Sequence, residues 1–148
     1  MKRLFLLFLV SICVIPMFGG EPGHYLHRTL EQIKREYTGL EFSHYNSDDG
    51  LPVYTWQTSN SLTYFIFKDG QSVREGHVFK NATNLELEAQ FRLLVSDFTS
   101  DTTPRDIKNV NTENYKMVIF YYSYFMVGVQ YVPNDYTLLE YMVSSYLP

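Results

Sequence analysis

The first part of the chain is almost continuously apolar, unlike everything that follows it. Residues 1–3 form a short basic start, and residues 4–18 are apolar except for one serine and one proline. This order is typical of the n-region and h-region of a secretory signal peptide. A helix of that length spans about 22 Å, less than the roughly 30 Å hydrocarbon core of a bilayer. We therefore predict that residues 1–20 are a signal peptide, cleaved near Gly20, and that the domain is periplasmic or secreted. An uncleaved N-terminal anchor is the alternative.

Two later segments repeat apolar residues at every third or fourth position, which is the pattern of a helix with one apolar face. In residues 24–37 the repeated positions are Leu26, Leu30, Ile33 and Tyr37. In residues 84–98 they are Leu87, Phe91, Leu94 and Phe98. Thr83 and Glu86 have the spacing of a capping box, in which each side chain satisfies a free backbone amide of the first turn. The pattern predicts two helices that each pack one face against a sheet.

The segments between these two helices have the composition of strands. They are rich in β-branched and aromatic residues, and they cover residues 40–46, 53–58, 62–68 and 73–80. Asp69 and Gly70 separate the last two segments, and this dipeptide accepts the positive φ angles of a type I′ hairpin turn. The segments predict an antiparallel meander over residues 40–80.

The last third of the chain contains the most apolar segment outside the predicted signal peptide, which is called the leader below. Residues 117–132 are rich in Tyr, Val, Ile and Phe, which predicts two buried strands that join near Ser123, with Gly128 marking a bulge. The preceding residues, 99–114, are polar and predict a long loop. The following residues, 136–146, carry apolar side chains at helical spacing and predict a last helix.

Together these elements predict an α+β fold. We expect a single domain over residues 21–148, with an antiparallel sheet of five or six strands and two or three helices packed on one face. The expected order of elements is α-β-β-β-β-α-β-β-α, and no internal repeat is visible in the sequence. A strongly curved sheet that wraps around the first helix is the alternative architecture.

Charge and cysteine content exclude several classes of function. The net charge of −4 does not supply the basic surface that a phosphate backbone requires, so we expect no nucleic-acid partner. The only cysteine, Cys13, lies inside the leader, and a mature chain would contain none. Such a chain has no thiol catalysis, no disulfide and no cysteine-ligated zinc. A lipid on Cys13 is the alternative role for that residue. We expect no transmembrane span in the mature chain.

Candidate catalytic and metal-binding residues are few. The sequence contains no phosphate-binding loop, no Gly-x-Ser-x-Gly motif and no dinucleotide fingerprint. His24, His27 and Glu31 have spacings that bring three potential zinc ligands to about one helical face, and they are weak metal candidates. His44 and His77 are candidates for a general base, but the sequence identifies no nucleophile or orienting acid for them. We therefore predict no catalytic residue and no cofactor.

Aromatic residues are the most informative remaining feature. The chain has 13 Tyr, 11 Phe and one Trp. Tyr and Trp combine a rigid apolar surface with a polar tip, which suits protein interfaces and sugar-stacking platforms. Tyr45, Tyr54 and Trp56 lie on predicted strands and are our candidate binding residues for a protein or glycan partner. The alternative is that these rings fill the core.

The sequence therefore predicts an exported, non-catalytic binding or interaction domain that uses an aromatic-rich sheet face or an edge strand. One alternative is a structural subunit of the cell envelope or surface, in which assembly buries residues 117–132. A second alternative is a small metal-dependent enzyme built on His24, His27 and Glu31. The sequence leaves the oligomeric state open.

Overall fold

Two helices, each followed by four strands, make up the part of the chain that the structure describes. The structure is a computed structural model that describes residues 25–101 and 104–144. The elements in chain order are α1 (Leu30–Glu36), β1 (Ser43–Asn46), β2 (Pro52–Gln57), β3 (Ser61–Lys68), β4 (Gln71–Lys80), α2 (Asn84–Asp101), β5 (Asp106–Asn111), β6 (Lys116–Tyr121), β7 (Phe125–Val132) and β8 (Tyr136–Val143). We call α1 to β4 the first block and α2 to β8 the second block. The predicted signal peptide lies outside the described residues.

The strands of the two blocks form one antiparallel sheet. Its order is β1-β2-β3-β4-β8-β7-β6-β5, so the last strands of the two blocks pair at the centre and β1 and β5 are the edges. The chain is thus α+β with an antiparallel sheet, as the sequence predicts. The predicted architecture of five or six strands with two or three helices is wrong, because the sheet has eight strands and the described residues contain two helices.

The first missed strand is β5, which lies within residues 99–114. This segment was predicted as a loop from its polarity, and that prediction is wrong. α2 continues to Asp101, and β5 pairs with β6 alone as an edge of the sheet. An edge strand exposes most of its side chains to water, so its sequence lacks the apolar residues that mark a central strand.

The second missed strand is β8, which occupies most of the segment predicted as a last helix, residues 136–146. That prediction is wrong. β8 lies between β4 and β7 and carries apolar side chains on both faces of the sheet, such as Leu139 on one face and Met142 on the other. Apolar residues three apart fit a helix stripe as well as a strand buried on both faces, so spacing alone does not separate the two.

The inner strand pairs of the two blocks share a register. Tyr64 faces Gly76 in the β3–β4 pair, and Gly128 faces Glu140 in the β7–β8 pair, in each case 64 residues later. The β2–β3 and β6–β7 pairs keep this offset as well. The three inner strands of each block are therefore an internal duplication about the β4–β8 pair, although the residues at equivalent positions differ. The outer pairs, β1–β2 and β5–β6, differ in register by one position.

Both helices pack on the same face of the sheet. Phe65, Glu75 and Tyr141 face one another across β3, β4 and β8, so their side chains lie on one face. The first cluster, under α1, contains Tyr25, Ile33, Tyr37, Phe65 and Phe67. The second cluster, under α2, includes Leu87, Phe91, Leu94, Phe120, Val127 and Tyr141. We call this the covered face. We call the opposite face of the sheet the open face, because no helix of the described residues packs against it.

Local sequence signals place the start of α2 and the β3–β4 turn where they were predicted. The backbone N–H of Thr83 donates to Glu86 Oε2 at 2.7 Å, and the backbone N–H of Glu86 donates to the Thr83 hydroxyl at 3.3 Å. The predicted capping box is thus confirmed. Asp69 and Gly70 both have positive φ angles, 52° and 79°, which confirms the predicted hairpin turn. Neither helix of the described residues has the length and apolar character needed to cross a membrane.

The first helix is shorter than the predicted 24–37. Thr29 is its N-cap and forms a capping box with Gln32, and His27 before it has a φ of 63° in the left-handed region. The chain before the helix is instead tied to the start of β4. The backbone N–H of His27 donates to the Ser72 carbonyl, and the backbone N–H of Ser72 donates to the Arg28 carbonyl, both at 2.8 Å.

Several tyrosines on the covered face should make the fold sensitive to alkali. Burial raises the pKa of Tyr37 to about 12 and raises the pKa of Tyr25 and of Tyr141 further. In the unfolded chain a tyrosine ionises at about pH 10. The neutral phenol is favoured in the folded state, so stability is complete below about pH 10. Above it, each such tyrosine should remove about 1.4 kcal/mol per pH unit until its folded pKa is reached.

Urea unfolding at a series of alkaline pH values measures this slope. Tyr37→Phe should make the decline of stability with pH less steep, because phenylalanine does not ionise. Tyr124→Phe is the control, since the Tyr124 side chain is 81% exposed and contributes no such burial. An equal slope in wild type and Tyr37→Phe would contradict the prediction.

Candidate functional site

A row of four residues crosses the centre of the open face, one from each of the four central strands. Tyr64 of β3 faces Gly76 of β4, Gly76 faces Glu140 of β8, and Glu140 faces Gly128 of β7. Residues that face each other across neighbouring strands point to the same side of the sheet. Because glycine has no side chain, the carboxylate of Glu140 has an open position on each side along this row.

The tyrosine ring of the row fills one of these two positions. A Cβ atom added to Gly76 would overlap the ring of Tyr64, so the ring lies directly over this glycine. The Tyr64 hydroxyl donates to Glu140 Oε1 at 2.5 Å. Nε and Nη2 of Arg74 contact the same oxygen at 2.8 and 2.6 Å. Burial is the main cause of a raised pKa of Tyr64, and the charge of Glu140 adds to it, so the phenol stays neutral and remains a donor.

The other position, over Gly128, is a groove of about 190 Å³. A Cβ atom added to Gly128 meets no atom within 4 Å. Gln130 and Glu140 supply the polar groups of the lining. The apolar lining consists of Met117, Ile119, Met126, Leu138 and Met142.

The groove collects all three methionines that follow residue 20 in the sequence. Methionine has a flexible, polarisable side chain that adapts its shape to an apolar or aromatic occupant. The open face therefore presents an adaptable apolar groove with one carboxylate at its wall. The predicted bulge at Gly128 is wrong, because the β6–β7 and β7–β8 registers run without a shift past this residue.

A second polar group lies on the covered face, at the border between the first and second clusters. Glu75 is 1% exposed, and its Oε1 lies 2.8 Å from Nε2 of His77. Because a carboxylate only accepts, Nε2 is the protonated nitrogen. Nδ1 of the same ring lies 3.3 Å from the Thr63 hydroxyl. Hydroxyl, imidazole and carboxylate also occur in hydrolase triads, but Thr63 and Glu75 are both buried, and we assign the trio to the fold.

The structure does not bring the three predicted binding residues together. Tyr54 and Trp56 lie on the covered face, where their rings pack 5.5 Å from Phe67 and 5.9 Å from Tyr37. Tyr45 faces Val53 in the β1–β2 pair and so lies on the open face, 54% exposed. Two of the three rings thus belong to the core under α1.

The weak metal candidates are not assembled within the described residues. His24 lies outside them. His27 precedes α1 in a left-handed conformation, so it does not share the helical spacing of Glu31. No group of three His, Cys, Asp or Glu side chains in residues 25–101 and 104–144 is arranged to hold a metal ion. His44, the other candidate base, packs against Tyr54 with the ring centroids 4.7 Å apart and the ring planes tilted by 30°.

Sequence reasoning missed the residues of the groove. The available signal was a glycine inside an apolar strand, flanked at intervals of two by Met126 and Gln130 on the same face. Glycine inside a strand marks a bulge or a site where something approaches the backbone closely. The register excludes a bulge at Gly128.

The fold and the groove define an α+β domain made of two helix-plus-four-strand blocks with an unfilled position on its open face. No known protein family matches the sequence, and no curated protein matches it. A solved structure, a cysteine-rich secretory protein from Staphylococcus aureus, is similar with a TM-score of 0.52 at 10% identity. The match covers 85% of this chain and 47% of that one, so this chain spans about half the length of its structural neighbour. At this identity the likeness shows the fold alone.

Proposed function

We propose that the chain is an exported, non-catalytic binding domain that holds a side chain of a protein partner in the groove of the open face. The observation that carries the proposal is the groove over Gly128, an unfilled apolar position lined by three methionines. The apolar leader of residues 4–18 supports export. The candidate binding surface thus moves from the aromatic residues Tyr54 and Trp56 to the opposite face of the sheet.

The size of the groove favours one side chain of a protein over a free small molecule. Sites for drug-sized ligands occupy roughly 300–1,000 Å³, and the groove has about 190 Å³. Protein interfaces place their binding energy in a few anchor side chains that enter such pockets. Methionine-rich surfaces are typical of proteins that accept anchors of varying shape.

The chemistry of the groove favours binding over catalysis. The carboxylate of Glu140 is engaged by both Tyr64 and Arg74. The raised pKa of Tyr64 removes it as a base near neutral pH. Apart from the neutral amide of Gln130, the groups that remain at the wall are thioether and aliphatic side chains, which supply contact area and exclude water.

Filling the groove should abolish partner binding. Gly128→Leu would place an aliphatic side chain in the groove, and the sheet should tolerate it because the added Cβ meets no neighbour. The measurement is photo-crosslinking in the source cells, with a photoreactive amino acid in place of Lys108, which faces Ile119 at the rim. The specific adduct should fall at least about tenfold, a loss that corresponds to one anchor side chain.

Thr55→Leu is the matched control for this experiment. Thr55 faces Tyr64 on the open face, on the side away from the groove, so the same side chain is added to the same face. This variant should give the wild-type adduct. Wild-type yield in Gly128→Leu, or no specific adduct in any variant, would show that the groove is not a binding site for a protein.

A further inference from the structure

We propose that the side chain held in the groove is a tyrosine of the partner, with its hydroxyl donating to Oε2 of Glu140. The inference rests on the proposed function and narrows it to one kind of anchor. It depends on three observations. The Tyr64 ring already fills the position over Gly76, the hydrogen bonds to Glu140 end on one oxygen of its carboxylate, and the lining of the groove is apolar and rich in methionine.

The chain already contains the proposed contact once. Gly76 and Gly128 face Glu140 from the two neighbouring strands, one on each side. Over Gly76 lies the ring of Tyr64, whose hydroxyl reaches the carboxylate at 2.5 Å. Over Gly128 lies the groove. A phenol ring placed there would approach the same carboxylate from the opposite side.

The duplication of the fold makes this comparison specific. The residue of the second block that corresponds to Tyr64, 64 positions later in the same register, is Gly128. The first block therefore supplies an aromatic ring from its own β3, where the second block supplies none from β7. The partner would provide the missing ring.

The carboxylate of Glu140 has one oxygen left to accept a donor. The side-chain hydrogen bonds that reach Glu140 from residues 25–101 and 104–144 all end on Oε1. The Glu140 side chain is 15% exposed and lines the groove. Tyr64 and Arg74 hold the carboxylate in place, so a donor that binds Oε2 meets an acceptor that is already oriented.

The balance of charge favours a neutral donor. Arg74 already neutralises Glu140, with its guanidinium 2.6 Å from the carboxylate. A cationic anchor would compete with this guanidinium, whereas a hydroxyl would not. The walls of Met117, Met126 and Met142 suit a ring, because thioether sulfur makes favourable contacts with aromatic edges. A ring with a hydroxyl satisfies both conditions, which phenylalanine and leucine do not.

Methyl NMR of the methionines in the full chain tests the inference directly. The probes are blocked pentapeptides of alanine with a central tyrosine, phenylalanine, O-methyltyrosine or leucine. The tyrosine peptide should shift the methyl signals of Met117, Met126 and Met142 and bind at least about tenfold tighter than the other three, since one hydrogen bond to a charged group is worth that much. The O-methyltyrosine peptide needs no change in the protein and keeps the ring while removing the donor.

The same peptides are also titrated against two variants of the protein. Glu140→Gln should reduce the preference for tyrosine over phenylalanine to less than about threefold, because a hydrogen bond to a neutral acceptor is weaker. Its methyl spectrum reports whether the sheet has kept its structure. Gly128→Leu should block all four peptides.

The outcomes separate this inference from the proposed function. Equal binding of the tyrosine, phenylalanine and leucine peptides would overturn the choice of tyrosine and leave the groove as a binding site. If no peptide shifts the methionine methyl signals, the choice of tyrosine is overturned as well. The crosslinking experiment then decides whether the groove binds a partner at all. Methyl shifts that depend on protein concentration alone would identify a second copy of the chain as the occupant and overturn the proposal.

Discussion

Replacement of His77 by leucine should lower the free energy of unfolding by about 3–5 kcal/mol. Nε2 of His77 lies 2.8 Å from Oε1 of Glu75, whose side chain is 1% exposed. Without the imidazole, the contact left to this carboxylate within residues 25–101 and 104–144 would be a longer one of 3.4 Å from the backbone N–H of Tyr25. A buried charge without its partner costs far more than the pair contributes. Chemical denaturation at neutral pH, with an unchanged m-value, measures the loss.

A surface histidine and a double variant control this experiment. His44 lies exposed on edge strand β1, and His44→Leu should change the stability by less than about 1 kcal/mol. Glu75→Met combined with His77→Leu removes both polar groups and keeps a similar volume, so it should recover most of the loss. A double variant less stable than His77→Leu alone would show that the buried carboxylate is not the cause.

Local signals in the sequence predict the elements whose structure depends on neighbours along the chain. The capping box of Thr83 and Glu86 and the Asp69–Gly70 turn are formed by residues within a few positions of one another, and both are confirmed. The strands of the first meander are also found close to their predicted bounds. These elements have sequence patterns that tertiary contacts do not override.

Such local signals did not predict the number of strands, because the composition of a strand depends on its position in the sheet. β5 is polar because it is an edge, and β8 is apolar on both faces because it is central. Neither sequence shows the alternation that marks a half-buried strand. The polar sequence of β5 therefore predicted a loop, and the apolar sequence of β8 predicted a helix.

The candidate site was beyond prediction for a related reason. Tyr64, Gly76, Gly128 and Glu140 are separated by 12, 52 and 12 residues along the chain, and only the register of four strands aligns them. The predicted aromatic residues Tyr54 and Trp56 have the right composition for an interface but lie on the face that α1 covers. The chemistry of a residue type is visible in a sequence, whereas the face it occupies is a property of the whole sheet.

Substitution of Gly76 by alanine should lower the free energy of unfolding by about 2–4 kcal/mol. The added methyl group would overlap the ring of Tyr64, so the ring must leave its place over β4. Its hydroxyl would then lose the hydrogen bond to Glu140, a bond of 2.5 Å to a charged acceptor. Urea unfolding measures the change, and near-ultraviolet circular dichroism should report the displaced ring.

Gly128→Ala is the matched control, because Gly128 is the glycine on the other side of the same carboxylate. Its added Cβ meets no atom within 4 Å, and alanine is favoured over glycine inside a strand by about 0.5–1 kcal/mol, so this variant should be neutral or slightly stabilising. The loss from Gly76→Ala should disappear in a Tyr64→Ala background, where no ring remains to be displaced. A loss that persists there would show that Gly76 is needed for its backbone and not for the space that Tyr64 occupies. The opposite signs expected for two glycines that flank one carboxylate follow from a single difference, which is that the Tyr64 ring fills the position over Gly76 and no atom lies within 4 Å of a Cβ added to Gly128.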